Sequence, residues 1–513
     1  MGLRVWMLGM LLAAAGPVAA AAQLAPVGVP PGVVRLEADG ALESWDKRWL
    51  DGQRESYGAD LASPALGADL FPFLTASEAT IQRVTGQSGF RLSLGALTTD
   101  AAVDRGVGMF GASLGLTRAI TIFGRMPLVS VRVQHASTLD GTGANAGANP
   151  GAAQQAAFFG QFDDALASLS ARIAAGDYAA DPATLALAQS TLASATTLRD
   201  DLFGLLSDEE TASPFVPLAT STAGEALDSR IAALQTTLAA SLGVAGFTEA
   251  PVLPIAPLTA AELETTVADP VGPIGLLTDE SKVVFRGDAE TGLALTLVDR
   301  WDRGARQGGV RAAVEGLIRF PTGRLARTDR LLALGTGDGQ TDVEARGTLD
   351  LGGGRWGVRL EGRYNRQLAA DLVDRVAPPS QPYPARDLLA AVRFDPGDET
   401  SFAIRPFFRI AGSLAIIGSA ERWHHGSDEY SYAAGAEPVP GVDAAVLGEE
   451  TDASATLVSI GLTYSSAGVA RPNTRRLPVD AGWSYERVVG ASGGRVPDVH
   501  RIRARFRLYL GLW

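Results

Sequence analysis

Few residues of this 513-residue chain could perform acid–base, nucleophilic or metal chemistry. The chain has no cysteine, and its four histidines are His135, His424, His425 and His500. His424 and His425 are adjacent, so on a strand they point to opposite faces and cannot bind one metal ion together. Ser427 lies close to His425, but no G-x-S-x-G motif surrounds it to present a nucleophile. We therefore expect no enzyme, no catalytic residue, no metal site and no cofactor.

A glycine-rich stretch, Gly335–Asp342, has the composition of a calcium or phosphate loop. It lacks the lysine of a P-loop and the ligand spacing of an EF-hand. We interpret it as an ordinary loop that runs into a strand.

The charged residues follow a regular pattern. Arg503, Arg505 and Arg507 alternate with apolar residues near the C-terminus, which indicates a β-strand with one charged face and one apolar face. In a membrane barrel the apolar face meets lipid and the charged face lines the lumen, where it sets selectivity. The same alternation predicts twelve lumen-lining charges: Arg311, Glu315, Arg319, Asp342, Glu344, Arg346, Arg359, Glu361, Arg363, Arg503, Arg505 and Arg507.

The start of the chain predicts export. Residues 1–22 have the pattern of a secretory signal peptide, with Arg4 before an apolar run and three alanines at a cleavage site. No later stretch of about 18 apolar residues predicts a transmembrane helix. A chain without such a helix can span a membrane only as a closed barrel. The net charge of −13 argues against nucleic acid as a partner.

The alternating segments predict an all-β transmembrane fold, an up-and-down antiparallel outer-membrane β-barrel of about twelve strands. Phe90–Leu97 alternates as well, which leaves fourteen strands as an alternative. In the third strand the pattern slips at Met126-Pro127, where we expect a bulge. The predicted strands are residues 33–46, 106–116, 119–134, 283–298, 309–320, 341–351, 355–367, 400–411, 413–424, 452–465, 480–491 and 498–513. Aromatic residues near strand ends predict an interfacial girdle of Phe320, Trp356, Tyr364, Trp423, Trp483 and Trp513.

Connection lengths and helical periodicity predict the remaining organisation. Short turns alternate with long loops, as periplasmic turns alternate with extracellular loops in outer-membrane barrels. Between 140 and 275 leucines recur every three or four residues, which predicts an α-helical insertion in one extracellular loop. Thr259–Glu262 and Thr75–Glu78 each match a capping box that opens a helix. The predicted divisions are a signal peptide (1–22), N-terminal barrel strands with a long loop (23–139), the helical insertion (140–275) and C-terminal barrel strands (276–513).

Two short motifs resemble a known family. Gly115–Ile122 followed by Met126–Val129, and Phe320–Gly323 followed by Gly335–Gly337, are similar to elements of the bacterial meta-pathway phenol-degradation family of outer-membrane proteins. The helical insertion departs from the common pattern. The resemblance implies an outer-membrane barrel for the uptake of hydrophobic or aromatic compounds.

Together these features predict a porin-like channel or passive transporter in the outer membrane of a Gram-negative-type bacterium, with small hydrophobic or aromatic compounds as the expected solutes. Its expected partners are the lipid bilayer, the outer-membrane assembly machinery and a small-molecule solute, with no nucleic acid. The alternative is a plugged structural or binding barrel. In that case the charges pair across strands and fill the bore, and the helical insertion contacts an extracellular partner.

Overall fold

Twelve antiparallel strands form a closed barrel in the computed structural model, which describes residues 26–302, 308–411, 414–466 and 478–512. The predicted signal peptide and Trp513 lie outside these residues. Each strand pairs with the next along the chain, and the last pairs with the first. The strands are β1 (Val33–Trp45), β2 (Ala96–Gly115), β3 (Ile120–Asp140), β4 (Ala289–Asp302), β5 (Gly308–Phe320), β6 (Asp342–Gly353), β7 (Trp356–Gln367), β8 (Glu399–Ala411), β9 (Leu414–His425), β10 (Ala453–Ser465), β11 (Val479–Gly493) and β12 (His500–Gly511).

The predicted number of twelve strands is confirmed, and the alternative of fourteen is wrong. Residues 88–95 form no strand, although their apolar residues alternate. Phe90, Leu92 and Leu94 are instead buried in a hydrophobic core with helices. Their period of two therefore reflects packing beneath a helix rather than a membrane-spanning wall.

The barrel wall has an apolar outer face and a polar inner face. Large apolar side chains on the outside are more than a third exposed, whereas charged side chains on the inside are largely buried. A protein dissolved in water rarely exposes so much apolar surface, and this inversion of polarity is the lipid-facing surface of an outer-membrane barrel. The outward residues include Leu36, Phe110, Ile122, Val314, Ile404, Ile460 and Phe506.

The wall extends beyond the lipid-facing band at β2 and β3, where the polarity of both faces changes. Asp104 and Arg132 pair on the outer surface there, while Val103 and Val133 pair inside. β2 begins ten residues before the predicted start at 106, because this upper part has the polar-outside pattern of an ordinary sheet.

The bulge expected at Met126-Pro127 is not in β3. The pairing of β3 with β2 continues without a register shift from Ala96 to Gly115. The irregularity lies in the opposite neighbour, where three residues, Gly287–Ala289, face two residues of β3. The apparent slip in the sequence is instead the point at which the outer face turns from apolar to polar.

Connections at one barrel end are much longer than those at the other. The turns at 116–119 and 354–355 define the turn end, and the loops at 46–95, 141–280, 321–341, 368–398 and 426–452 define the loop end. Short strands at or near the loop end are Lys47–Leu50, Gln53–Ser56, Ala146–Ala148, Phe215–Pro217, Ser281–Arg286, Ala370–Arg375, Leu389–Asp395, Glu429–Tyr432 and Val496–Pro497. Single 3-10 turns occur at Ala59–Leu61, Arg386–Leu388 and Ala444–Gly448.

Helices occupy the loop end. They are α1 (Leu74–Thr85), α2 (Ala152–Ala175), α3 (Pro182–Leu206), α4 (Thr222–Thr236, continued by a π-turn at Thr237–Ser241) and α5 (Ala260–Ala268). None of the helices in the described ranges has both the length and the apolarity needed to cross a membrane.

The two predicted capping boxes have different outcomes. Thr259 and Glu262 form the box that opens α5. The capping box predicted at Thr75–Glu78 is wrong, because α1 already begins at Leu74. The Glu78 carboxylate instead accepts a hydrogen bond from the Leu92 backbone N–H (2.8 Å).

The helices of the insertion share one hydrophobic core with the α1 loop. Phe71 and Leu74 from that loop pack with Phe158 and Phe215 of the insertion, and with Tyr383 from a third loop. Three loops thus form a single cap over the barrel.

The pairing of β1 with β12 yields a testable prediction. Arg505 donates to Asp39 across this seam. Arg505→Glu places two carboxylates side by side, and we expect a loss of about 3–5 kcal/mol of unfolding free energy, the usual cost of breaking a buried pair. Urea unfolding of the detergent-solubilised protein, followed by tryptophan fluorescence, measures this loss.

The double variant Asp39→Arg/Arg505→Glu should recover more than half of the lost stability, because it restores a pair of opposite charges. Phe506→Leu, on the outer face of the same strand, serves as the control. A double variant no more stable than Arg505→Glu alone would show that the seam does not depend on this pair.

Candidate functional site

All twelve predicted lumen charges lie on the inner face of the barrel. Nine are buried, and Glu315, Arg319 and Arg346 are partly buried. They are positioned by the twofold period of strands whose alternate side chains face lipid. The structure therefore gathers them into one internal cluster, which we call the charge network.

Carboxylates of β6 join neighbouring strands within the charge network. Asp350 accepts from Arg359 Nε at 2.6 Å and lies 2.9 Å from Arg311 Nη2. Glu344 contacts three guanidinium groups, those of Arg346, Arg363 (3.2 Å) and Arg319 (3.5 Å). Each pair is a charge-assisted contact in a space largely shielded from bulk water.

The sequence analysis missed the charges that complete the charge network. Arg405 of β8 contacts Glu361 and, at 3.0 Å, Glu421 of β9. These two strands also place apolar residues such as Phe407 and Ile417 on the inner face, which weakens the alternation. Pairing by opposite charge between adjacent strands was the signal that could have identified them.

The acidic residues of β1 were missed as well. Glu37, Asp39 and Glu43 alternate with small or apolar residues, and they face the arginines of β12. Arg501 Nε lies 2.6 Å from Glu43 Oε1, and Arg507 Nε lies 3.3 Å from Glu37 Oε2. The first and last strands carry complementary charge, a signal visible in the sequence once they are taken as neighbours.

Side chains and the N-terminal segment fill the turn end of the barrel. Arg35 donates to the Pro26 and Val27 carbonyls (3.2 and 3.0 Å), and the Val29 N–H donates to Thr121 Oγ1 (2.9 Å). The cavity between this segment and the charge network has a volume of about 40 Å³, which is room for about three waters. The bore is thus closed in this structure.

An apolar layer lies above the charge network, toward the loop end. It consists of Ala41, Trp45, Val103, Val107, Met109, Val129, Val131 and Val133. Tyr57, Leu332 and Leu334 from loops pack onto it. The Glu43–Arg105 pair (3.8 Å) lies between the Ala41–Val107 and Trp45–Val103 rows, so charged and apolar residues alternate along this part of the inner wall.

A larger cavity, the mouth pocket, lies among the loops above the apolar layer. Its volume is about 410 Å³, within the usual range of small-molecule sites. Asp60 accepts from Arg48 (2.5 Å) and Arg495 (2.6 Å) and so joins two of the loops around it. The lining residues are Arg48, Tyr57, Asp60, Leu61, Leu331, Leu332, Arg375, Ala377, Pro378, Pro379, Gln381, Pro382, Pro384, Arg495 and Pro497.

Leu332 lies between the mouth pocket and the apolar layer. Its side chain lines the pocket and also packs on the apolar layer. Its backbone has a φ of 52°, a left-handed conformation that is unfavourable for a bulky residue and that often marks functional positions.

The glycine-rich Gly335–Asp342 stretch packs on the irregular segment before β4. Asp288 accepts from the Gly323 N–H at 2.8 Å, and a Cβ on Gly337 would lie only 2.5 Å from Asp288 Oδ2. Thr336 Oγ1 donates to the Arg286 carbonyl at 2.9 Å. Glycines are needed here because the loop backbone approaches the wall closely, and this stretch holds the loop that carries Leu332.

The histidines do not form a catalytic or metal-binding group in the described part of the chain. His425 Nε2 lies 2.9 Å from Asp428 Oδ1, while His424 faces outward and contacts Ser454. Ser427 is exposed, and no hydrogen bond joins it to either histidine. Over the described ranges, no group of three or more His, Asp and Glu side chains is arranged to hold a metal ion.

Four of the predicted girdle residues lie on the outer surface. Trp356 and Trp483 lie near the turn end, and Phe320 and Tyr364 near the loop end, each at least two-fifths exposed. The prediction that Trp423 belongs to the girdle is wrong. Its side chain lies inside the barrel, stacked on His425 with ring centroids 6.0 Å apart. Successive residues of β9 face opposite sides of the wall, so Trp423 faces inward because Ile416 faces outward.

Comparisons with known proteins give only distant neighbours. No family model and no curated protein matches the chain. An outer membrane channel from Pseudomonas putida F1 is similar at 9% identity, over 94% of this chain and 97% of that chain, with a TM-score of 0.42. The transport unit of the autotransporter AIDA-I from Escherichia coli matches at 6% identity, over 95% and 93%, with a TM-score of 0.29. A mutant of the TodX monoaromatic hydrocarbon channel matches at 10% identity, over 94% and 91%, with a TM-score of 0.28.

The 321–341 loop should respond to pH through Asp338. Burial, together with the carboxylates of Asp342 and Asp288, raises the pKa of Asp338 to about 7. The folded loop therefore holds a proton that the unfolded chain releases near pH 4, so its stability falls as pH rises from about 4 to 7. Hydrogen exchange of this loop, corrected for intrinsic rates, should show less protection at pH 8 than at pH 5.5.

Asp338→Asn should remove most of this difference, because the amide does not titrate. Asp329→Asn in the same loop is the control, since Arg327 already holds the pKa of Asp329 below its usual value. Unchanged pH dependence in Asp338→Asn would assign the effect to another group.

Proposed function

We propose that this protein is an outer-membrane channel for small, largely apolar solutes, aromatic ones among them, and that the structure is its closed form. The observation that carries the proposal is the position of Leu332, which separates a ligand-sized pocket from an apolar layer inside the barrel. The loop end faces the exterior and the turn end faces the periplasm, as in other outer-membrane barrels. The outer-membrane assembly machinery inserts the chain.

An apolar solute finds continuous apolar surface from the mouth pocket into the barrel. Leu331 and Leu332 line the mouth pocket, and Val103, Val129 and Val133 continue that surface below Leu332. Transfer from water onto such surface is favourable, at about 25 cal/mol per Å² of apolar area buried. Movement of the Leu332 side chain joins the two spaces, and further passage requires displacement of the N-terminal segment.

Ions meet a different barrier. The charge network and the N-terminal segment leave about 40 Å³ of free volume between them, room for about three waters, so an ion would lose most of its hydration there. Passage of hydrated inorganic ions is thereby disfavoured.

Catalysis and partner binding have less support than transport. Ser427 is exposed and does not contact His425, and His424, which lies 3.2 Å from Ser454 Oγ, is exposed on the outer face rather than set in a pocket. The helices of the insertion pack their apolar faces into the core shared with the α1 loop and Tyr383.

Leu332→Ala should speed solute entry, because it removes one of two side chains, the other being Tyr57, that contact both the mouth pocket and the apolar layer. We expect uptake of radiolabelled toluene by whole cells expressing the protein to rise several-fold. Leu325→Ala, an exposed leucine of the same loop, is the matched control and should leave uptake unchanged. Equal uptake by Leu332→Ala and the unaltered protein would contradict the proposed path.

Deletion of residues 26–31 should open the turn end, because Arg35 and Thr121 lose the backbone groups that they hold there. Planar bilayer recordings should show little conductance for the unaltered protein and at least several-fold more for the deletion. Pro26→Ala/Val27→Ala keeps the backbone carbonyls and should stay closed. A deletion variant that remains as silent as the unaltered protein would place the barrier in the charge network alone.

A further inference from the structure

Arg375 is a buried cation in the wall of the mouth pocket. It ends the short strand Ala370–Arg375 and is only 8% exposed. Its Nη atoms donate to three carbonyls, those of Ile274, Pro384 (2.8 Å) and Gly275 (3.0 Å). Its Nε–H is buried and has no hydrogen-bond partner in the described part of the chain.

Arg375 differs from the other two arginines of the mouth pocket in having no carboxylate partner. Arg48 contacts Asp60 and Glu55, and Arg495 contacts Asp60 and Glu450. Within the described ranges no carboxylate lies within 4.0 Å of the Arg375 guanidinium. Carbonyl groups solvate a cation but do not neutralise it, and an unpaired buried charge is costly.

The surroundings of Arg375 do not supply the missing charge. Burial lowers the pKa of Arg375, and the positive charge of Arg386 lowers it further. The more distant carboxylates of Asp329 and Asp374 raise the pKa, but they offset this lowering only in part. Asp329 is already engaged by Arg327, at 2.8 Å. Among the described residues, therefore, none supplies a counter-charge in contact with Arg375.

Other parts of the mouth pocket's lining suit an apolar body. Pro378, Pro379, Pro382 and Pro384 line it together with leucines. Proline has no backbone N–H, so this wall presents hydrocarbon and few donors. The volume of about 410 Å³ accommodates a molecule with one aromatic ring.

We propose that the mouth pocket binds a small organic monocarboxylate, of which an aromatic acid is the simplest case. A shift of the Arg375 side chain brings its Nε–H, which is buried in this structure, to the carboxylate, which supplies the counter-charge, while the apolar body lies against the prolines and Leu332. A single unpaired guanidinium calls for a single negative charge, which favours a monoanion over a phosphate. This assignment rests on the proposed function, because it names the solute class that enters by the mouth pocket.

Calorimetric titration of the purified full-length protein in detergent tests the assignment with benzoate and benzyl alcohol, which have similar size and differ in charge. We expect benzoate to bind at least tenfold more tightly. Arg375→Gln should weaken benzoate at least tenfold and benzyl alcohol less than twofold. Arg393→Gln, an exposed arginine on a neighbouring loop-end strand, is the matched control and should change neither.

Arg375→Lys separates ligand binding from loop support, because it keeps the charge but not the guanidinium geometry. Retention of a clear preference for benzoate in this variant supports the assignment. Loss of affinity for both probes in both Arg375 variants would show that Arg375 only holds the loops, and would overturn it.

The two proposals fail in different ways. Equal binding of benzoate and benzyl alcohol by the unaltered protein, or a preference that survives Arg375→Gln, overturns the carboxylate assignment and leaves the apolar channel intact. Binding of neither probe overturns both the assignment and the role of the mouth pocket in transport.

Discussion

Every charge on the inner wall of this narrow barrel must find a partner of opposite sign inside it, because there is little room for water to take that role. Glu344 meets this need with three arginines, and Asp350 with two. The charge complementarity between adjacent strands and the filling of the bore by side chains follow from it. An unpaired arginine or carboxylate at any of these positions would be strongly destabilising.

Most of the barrel could be predicted from the sequence, because a wall between lipid and a polar interior imposes a strict period of two. Where that wall leaves the lipid, the rule no longer applies, and so the upper part of β2 was missed and the change at Pro127 was mistaken for a bulge. Trp423 shows a related limit: an aromatic residue near a strand end belongs to the interface only if its parity faces outward.

The mouth pocket could not be predicted in the same way. Its walls come from loops around Tyr57, Leu332, Arg375 and Arg495, which are far apart in the sequence and have no shared periodicity. Gly337 lies in a stretch interpreted as an ordinary loop, because the close approach to Asp288 that requires a glycine there appears only in three dimensions. The importance of Leu332 likewise depends on its contacts and on its backbone conformation.

The seam between β1 and β12 has a consequence for biogenesis. Glu37, Asp39 and Glu43 of β1 contact arginines of β12, so these contacts form only when the barrel closes. A barrel open at this seam would lack those ion pairs and would also expose unpaired backbone groups, which cannot be satisfied in lipid. Closure therefore completes the charge pairing of the lumen and the lipid-facing wall in one event.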